Sequence, residues 1–276
     1  LTFAISWGGM LLVVGGPTGI PGTAEEVATL FGPALLAMLA GPTTAGMLLT
    51  GIVDGRAGFR ELLSRLLSWR VSVRWYAVAL LTTPLAMAVV PVALSPLVPV
   101  FLPGVLESSG KAALLQFSLT AGLMAGVLEE LGWTGFAIPR LLQRRSVLAT
   151  GLIVGALWAV WHFLINVWTS GDASGALDTP RFLHSFFFSI GILSAFRVLM
   201  VWTYSRTRSL LLAMLMHMSL TSGNIVFVPM AMPGWSGAAW SLTVAAPFWM
   251  IVAIVAAKMQ RQAPPTAHRG SSRPCR

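Results

Sequence analysis

Residues 126–142 read GVLEELGWTGFAIPRLL. Two adjacent carboxylates, Glu129 and Glu130, stand there behind the predominantly apolar run 112–128, in a chain with only nine acidic residues among 276. A carboxylate in mid-bilayer costs roughly 2.5–3.5 kcal/mol on the mildest scale, and two side by side also repel. A snorkelling pair at the end of a span would escape that cost, but Arg140 is still eleven residues further on. The stretch therefore reads as a membrane span holding functional acids.

The rest of the chain supports a lipid solvent. It is 56% hydrophobic and 10% charged, with eleven Trp and thirteen Met, far from the quarter charged of a soluble domain. Eight apolar segments near spanning length follow one another: 1–14, 27–52, 75–101, 112–138, 147–168, 184–203, 209–228 and 238–257. The first is short and begins at Leu, so the true N-terminus is expected to be missing or misassigned; it lacks the basic leader of a secretory signal, and further spans follow it. The expected fold is an all-α polytopic membrane protein of about eight helices, organised as one transmembrane domain over 1–257. A basic, disordered cytoplasmic tail over 258–276 completes it.

The net charge of +9 invites a nucleic-acid reading, but its distribution argues against one. Joining the spans in order puts fifteen of eighteen cations on one side. Arg56, Arg60, Arg65, Arg70 and Arg74 follow span two; Arg140, Arg144 and Arg145 follow span four; Arg206 and Arg208 follow span six. Lys258, Arg261, Arg269, Arg273 and Arg276 close the chain, while the opposite loops carry only Lys111 and Arg181. This positive-inside asymmetry implies cytoplasmic termini, with the bilayer rather than nucleic acid as partner; the expected setting is a prokaryotic plasma membrane. The segment 55–75, with five arginines and helical apolar spacing, reads as an amphipathic helix on the cytoplasmic leaflet. Cys275 and His268 fall in the tail; a lone Cys excludes a disulfide framework and a thiol metal site.

Few other polar residues lie inside spans: His162, Asn166, Arg197, His217, Thr221 and Asn224. Counted at the helical rise from the basic flanks, Glu129 lies ~16 Å above Arg140 and His217 ~14 Å above Arg208. His162 lies ~18 Å above Thr150, and Arg197 ~14 Å above Arg206. One layer in the cytoplasmic half thus holds four helices' polar residues. Glu129 and Glu130 point about 100° apart and cannot share a job. Glu130 shares a face with Thr134, and His162 with Trp158 and Asn166. A Glu and a His converging on water make a general base, and a second His can donate to an oxyanion. No HExxH is present, although His ligands from separate helices leave a metal ion open.

EELGWTGFAIPRLL resembles the EExxxR motif of the CAAX prenyl protease and bacteriocin-processing family of intramembrane proteases. WAVWH, residues 158–162, resembles its FxxxH motif with Trp for Phe, and His217 with Thr221 resembles its HxxxN motif. The resemblance covers about 114–229. It implies eight helices, a cytosol-facing catalytic cavity and an intramembrane endopeptidase acting near the cytoplasmic face on a peptide or protein, lipidated or not. It implies that Glu129 and His162 activate water, with Glu130 beside them and His217 stabilising the oxyanion; it also fits a mechanism without a metal cofactor, which is the one expected here. Thr134 replaces the motif Arg and Thr221 the motif Asn. Arg197 is then expected to pair with Glu130 from another helix, and Asn224 to supply the missing amide. A catalytically silent relative acting as membrane partner or immunity factor is the alternative those substitutions favour. A transporter or proton pathway fits less well, because the polar residues form a layer rather than a column.

Overall fold

The computed structural model describes residues 1–262; the segment 263–276, with His268, Cys275 and most of the expected tail, lies outside the described residues. The chain is all-α and polytopic. Eight principal helices run α1 Thr2–Val13, α2 Ala24–Leu66, α3 Val73–Leu94 and α4 Lys111–Leu142, then α5 Val147–Trp168, α6 Thr179–Thr207, α7 Leu210–Phe227 and α8 Ser236–Gln262. Among the described residues extended pairing is confined to an isolated bridge between Gly171 and Leu177.

Seven of these helices are long and apolar enough to cross a membrane. The correction to the eight expected spans concerns α1, whose twelve residues reach only ~18 Å against a ~30 Å hydrocarbon core. It leans instead on its neighbours. Ser6 donates to the Met38 carbonyl of α2 at 2.6 Å, and Trp7 Nε1 to the Trp161 carbonyl of α5 at 3.0 Å. At the other end α8 remains helical through Gln262, beyond the expected tail boundary at 258.

The amphipathic segment is also only partly as expected. Gly55, at φ 57° and ψ −145°, breaks α2, and the arginine-rich stretch leaves the span as a helix of its own over 56–66. Residues 67–72 are irregular, so the helix does not extend to 75. Arg65 anchors this piece by donating to the Tyr204 hydroxyl and the Gly135 carbonyl, both at 3.0 Å.

Packing brings α7 against α3 and α4, α2 against α4, α5 against α6, and α6 against α8. The approach of α4 to α7 requires a bare backbone: a Cβ on Gly126 would lie 2.5 Å from the Met214 carbonyl oxygen. Both α4 and α6 contain one turn of π-helix, at Trp133–Ala137 and Phe188–Leu193, a feature that recurs beside functional sites. The interior is rich in aromatic residues, with Trp158, Trp161, Trp168 and Trp240 fully buried. Large apolar side chains such as Leu12, Leu85 and Ile254 remain exposed on the perimeter, as lipid permits.

Candidate active site

Glu129 and Glu130 occupy the last α-helical turn of α4 before its π-turn, and the 100° between them separates their fates. Glu130 is 0% exposed and its carboxylate is saturated with donors. Arg197 Nη1 of α6 lies 2.8 and 2.9 Å from its two oxygens, and the Thr134 hydroxyl donates to Oε2. His217 Nδ1 of α7 lies 2.8 Å from Oε1. A carboxylate only accepts, so Nδ1 is the donor and Nε2 is left for other contacts. The cross-helix pairing of Arg197 with Glu130 is thus present in the structure. Thr134, standing where a motif arginine would, keeps the i,i+4 contact as a neutral hydrogen bond.

Glu129 takes the other direction. It is 3% exposed and contributes to the floor of a cavity of about 400 Å³, together with His162, Asn166, His217, Thr221 and Asn224. Its Oε1 is 3.8 Å from His217 Nε2, and its Oε2 accepts from Trp158 Nε1 at 2.6 Å. His217 therefore stands between the two carboxylates, one nitrogen toward each. Glu130, expected among the catalytic residues, does not reach the cavity; it holds His217 from beneath.

His162 sits at the break between the two helical pieces of α5, Val147–Trp161 and Phe163–Trp168. Its Nδ1 lies 2.9 Å from the Trp158 carbonyl, which can only accept, so Nε2 is free to present a lone pair to the cavity when the ring is neutral. Asn166, one turn on, ties α5 to α6 by donating to Ser189 Oγ at 2.9 Å. Asn224 Oδ1 is buried without a hydrogen-bond partner among the described residues, in the same cavity wall as Thr221.

Trp158 is the residue the sequence reading undervalued, as a motif aromatic. It donates to Glu129, its face covers the Arg197 guanidinium at 3.9 Å, and its edge meets His217 with ring centroids 5.0 Å apart. Its indole thus touches both carboxylate systems. The one signal in the sequence was its four-residue spacing from His162.

Among the described residues no three His, Cys, Asp or Glu side chains are grouped to hold a metal ion. His217 commits Nδ1 to Glu130 and Glu129 commits one oxygen to Trp158, which leaves His217 Nε2 and the second Glu129 oxygen for other partners. What the arrangement offers is a buried carboxylate beside imidazole nitrogens at the polar end of a largely apolar cavity, suited to taking a proton from water.

The cavity has a definite course relative to the cations. It runs from the Glu129 layer along the halves of α2, α4, α5, α6 and α7 that carry few cations.

Residues 111–222 match a family described as type II CAAX prenyl endopeptidase Rce1-like. Over 96 residues the chain is 27% identical to a protein named CAAX prenyl protease 2 from Methanococcus maripaludis. That match covers 34% of this chain and 35% of the relative, so the chain spans about a third of that protein's length.

Proposed function

We propose that this Rce1-like multi-pass membrane protein is an intramembrane endopeptidase that hydrolyses a peptide bond with water activated by Glu129. The observation that carries the reading is the division of labour between the carboxylates. Glu130 is neutralised and fully occupied, while Glu129, one residue earlier, borders a cavity together with two histidines. A second carboxylate with no arginine beside it is costly in lipid, and intramembrane acids of this kind mark functional sites.

In the proposed mechanism Glu129 takes a proton from a water held between it and His162, and the oxygen attacks the scissile carbonyl carbon. The oxyanion accepts from Nε2–H of a protonated His217, whose Nδ1–H stays on Glu130, with the Asn224 amide as a further donor. Glu129 then returns its proton to the departing amide nitrogen as the C–N bond breaks, leaving a carboxylic acid and an amine. Trp158 keeps one Glu129 oxygen in place and leaves the other toward His217. The cleavage layer lies ~16 Å from the arginines after α4, the nearer membrane face and cytoplasmic by the positive-inside rule. The proposed substrate is a peptide or protein, lipidated or not, and the proposed setting is a prokaryotic plasma membrane.

Thr134 and Thr221 favour a second reading, a silent relative that binds a peptide without cutting it. Against it, Arg197 restores the cation beside Glu130. Reconstituted protein incubated with a fluorogenic peptide library separates the two. Cleavage that disappears in Glu129→Gln supports the enzyme, whereas peptide binding with no cleavage by the wild type supports the silent partner.

A further inference from the structure

The cations at the arginine-bearing ends of the helices fall into two groups. Some are engaged by neighbours: Arg65 donates to Gly135 and Tyr204, and Arg140 pairs with Asp54. Others meet in a cleft of about 310 Å³ between the ends of α3, α6 and α8. Its lining carries three cations, Arg74, Arg206 and Lys258, and no acid. Among the described residues neither Arg74 nor Lys258 lies within ion-pair distance of a carboxylate. Like charges gathered in one cleft repel, and an anion placed among them removes that cost.

The walls of the cleft are aromatic. Trp75 and Trp202, each half-buried, meet edge to face with ring centroids 5.0 Å apart. The Arg74 guanidinium stands 5.5 Å from the Trp75 ring centroid, a contact that narrows the positions open to it. Tryptophans with one apolar and one wet side gather at the level of lipid headgroups. The helix ends give the same level. Arg74 follows Val73, the first residue of α3, Arg206 precedes Thr207, the last of α6, and Lys258 lies in the final turns of α8 before Gln262.

Away from the cleft the surface is apolar. Val78 and Met259 complete the lining. At helical spacing beyond Val78 stand Leu81 and Leu85, 51% and 60% exposed, and beyond Lys258 stand Ile254 and Met250, 56% and 62% exposed. These side chains belong to the lipid perimeter. A molecule with an anionic head and hydrocarbon tails thus meets cations at the cleft and an apolar surface running from it toward mid-membrane.

We propose that this cleft binds the phosphodiester headgroup of an anionic phospholipid from the leaflet on the arginine-bearing side. By the positive-inside rule that is the cytoplasmic leaflet, whose surface is negative and whose headgroups are drawn to basic pockets between spans. Arg74 offers guanidinium N–H groups to the phosphate oxygens and Lys258 an ammonium, with the charge of Arg206 beside them. The acyl chains stay in the bilayer, along the perimeter of α3 and α8. The headgroup joins the ends of three spans, one of which, α6, carries Arg197 into the buried clamp on Glu130. Because the folded bundle alone presents the cleft, binding raises its stability. The site lies apart from the catalytic cavity and is the same whether or not the protein hydrolyses peptides.

The full chain, purified in a neutral detergent, is titrated with dioleoyl phosphatidylglycerol, dioleoyl phosphatidylcholine or inorganic phosphate. Bound lipid is read by native mass spectrometry and Tm by thermal unfolding. Phosphatidylglycerol is expected to remain bound and to raise Tm, and the other two to do neither at the same concentration. Arg74→Gln with Lys258→Gln should weaken phosphatidylglycerol binding by about tenfold or more, whereas Arg56→Gln with Arg60→Gln, equal in charge but outside the cleft, should change it by less than about twofold. Lys258→Glu alone, at an exposed position, gives the same reading if the first pair does not survive purification. Equal binding of phosphatidylcholine overturns the proposal. So does equal loss in the two double variants, which would mean diffuse attraction to the whole basic face. A rise in Tm as large with inorganic phosphate would make the cleft a site for a soluble anion and overturn the lipid assignment.

Discussion

Two regions that meet at His217 behave oppositely. Beneath it, Glu130, Arg197 and Thr134 form a clamp from which every route to solvent is closed. Above it, Glu129 and His162 border a cavity about 400 Å³ in volume. Both regions contain a carboxylate at the same depth, a single residue apart. The difference teaches that the cost of a charge in lipid can be met by pairing or by a cavity, and that each solution suits a different job. Pairing gives rigidity; a cavity leaves a carboxylate able to exchange a proton.

The sharpest way to break the comparison is to neutralise each carboxylate in turn. Glu129→Gln is expected to slow peptide cleavage by ~10²–10⁴-fold or more while Tm in detergent stays within a few degrees of wild type. Wild-type turnover in that variant would end the assignment of Glu129 as base.

Next in size is the clamp. Arg197→Met strands Glu130 and is expected to destabilise the fold by ~3–5 kcal/mol, because a buried charge loses its partner. Adding Glu130→Gln should recover part of that loss, giving a coupling of ~0.5–3 kcal/mol in a double-mutant cycle measured by denaturation. Additive losses would mean that the 2.8 Å contact carries no energy of its own.

A smaller effect is expected at the clamp's neutral arm. Thr134→Val removes one hydrogen bond to a charged carboxylate, a loss of ~1.5–3 kcal/mol in stability. Cleavage should fall far less than in Glu129→Gln, and a rate loss as large as that variant's would show the two regions to be one unit.

In the cavity wall, Asn224→Ala should slow turnover by up to ~10²-fold through loss of an oxyanion donor, with Thr221→Asn equal to or faster than wild type. An unaltered rate in Asn224→Ala would leave the oxyanion to His217. The smallest expected effect is none: 1,10-phenanthroline or EDTA should leave the cleavage rate unchanged. A rate abolished by chelation and restored by zinc would require His162 and His217 to be metal ligands instead.

Much of this architecture is legible in the residues. Apolar run lengths and the arginine asymmetry specify a helical membrane protein, because both follow from solvation and need no tertiary contact. The common depth of Glu129, His217 and Arg197 also follows from counting, since a helix rises by a fixed amount per residue. Even the pairing of Arg197 with Glu130 is anticipated, because Arg197 is the one cation inside a span and Glu130 lacks a local one.

Other features depend on rotation about helix axes and on breaks in helices, which counting does not register. The π-turn after Glu130, the kink at Gly55 and the interruption at His162 each change which way the following side chains face. Trp158 could be assigned a face from the sequence, but its indole N–H could be joined to Glu129 only once α4 and α5 were packed. The cavity's direction is of the same kind, being a property of the space between five helices rather than of any one. Local solvation and helical periodicity therefore determine the layer and the candidates within it. Which carboxylate is sealed and which borders the cavity is decided by close packing in three dimensions, where a 100° step between neighbours puts one against Arg197 and the other against Trp158 and the cavity.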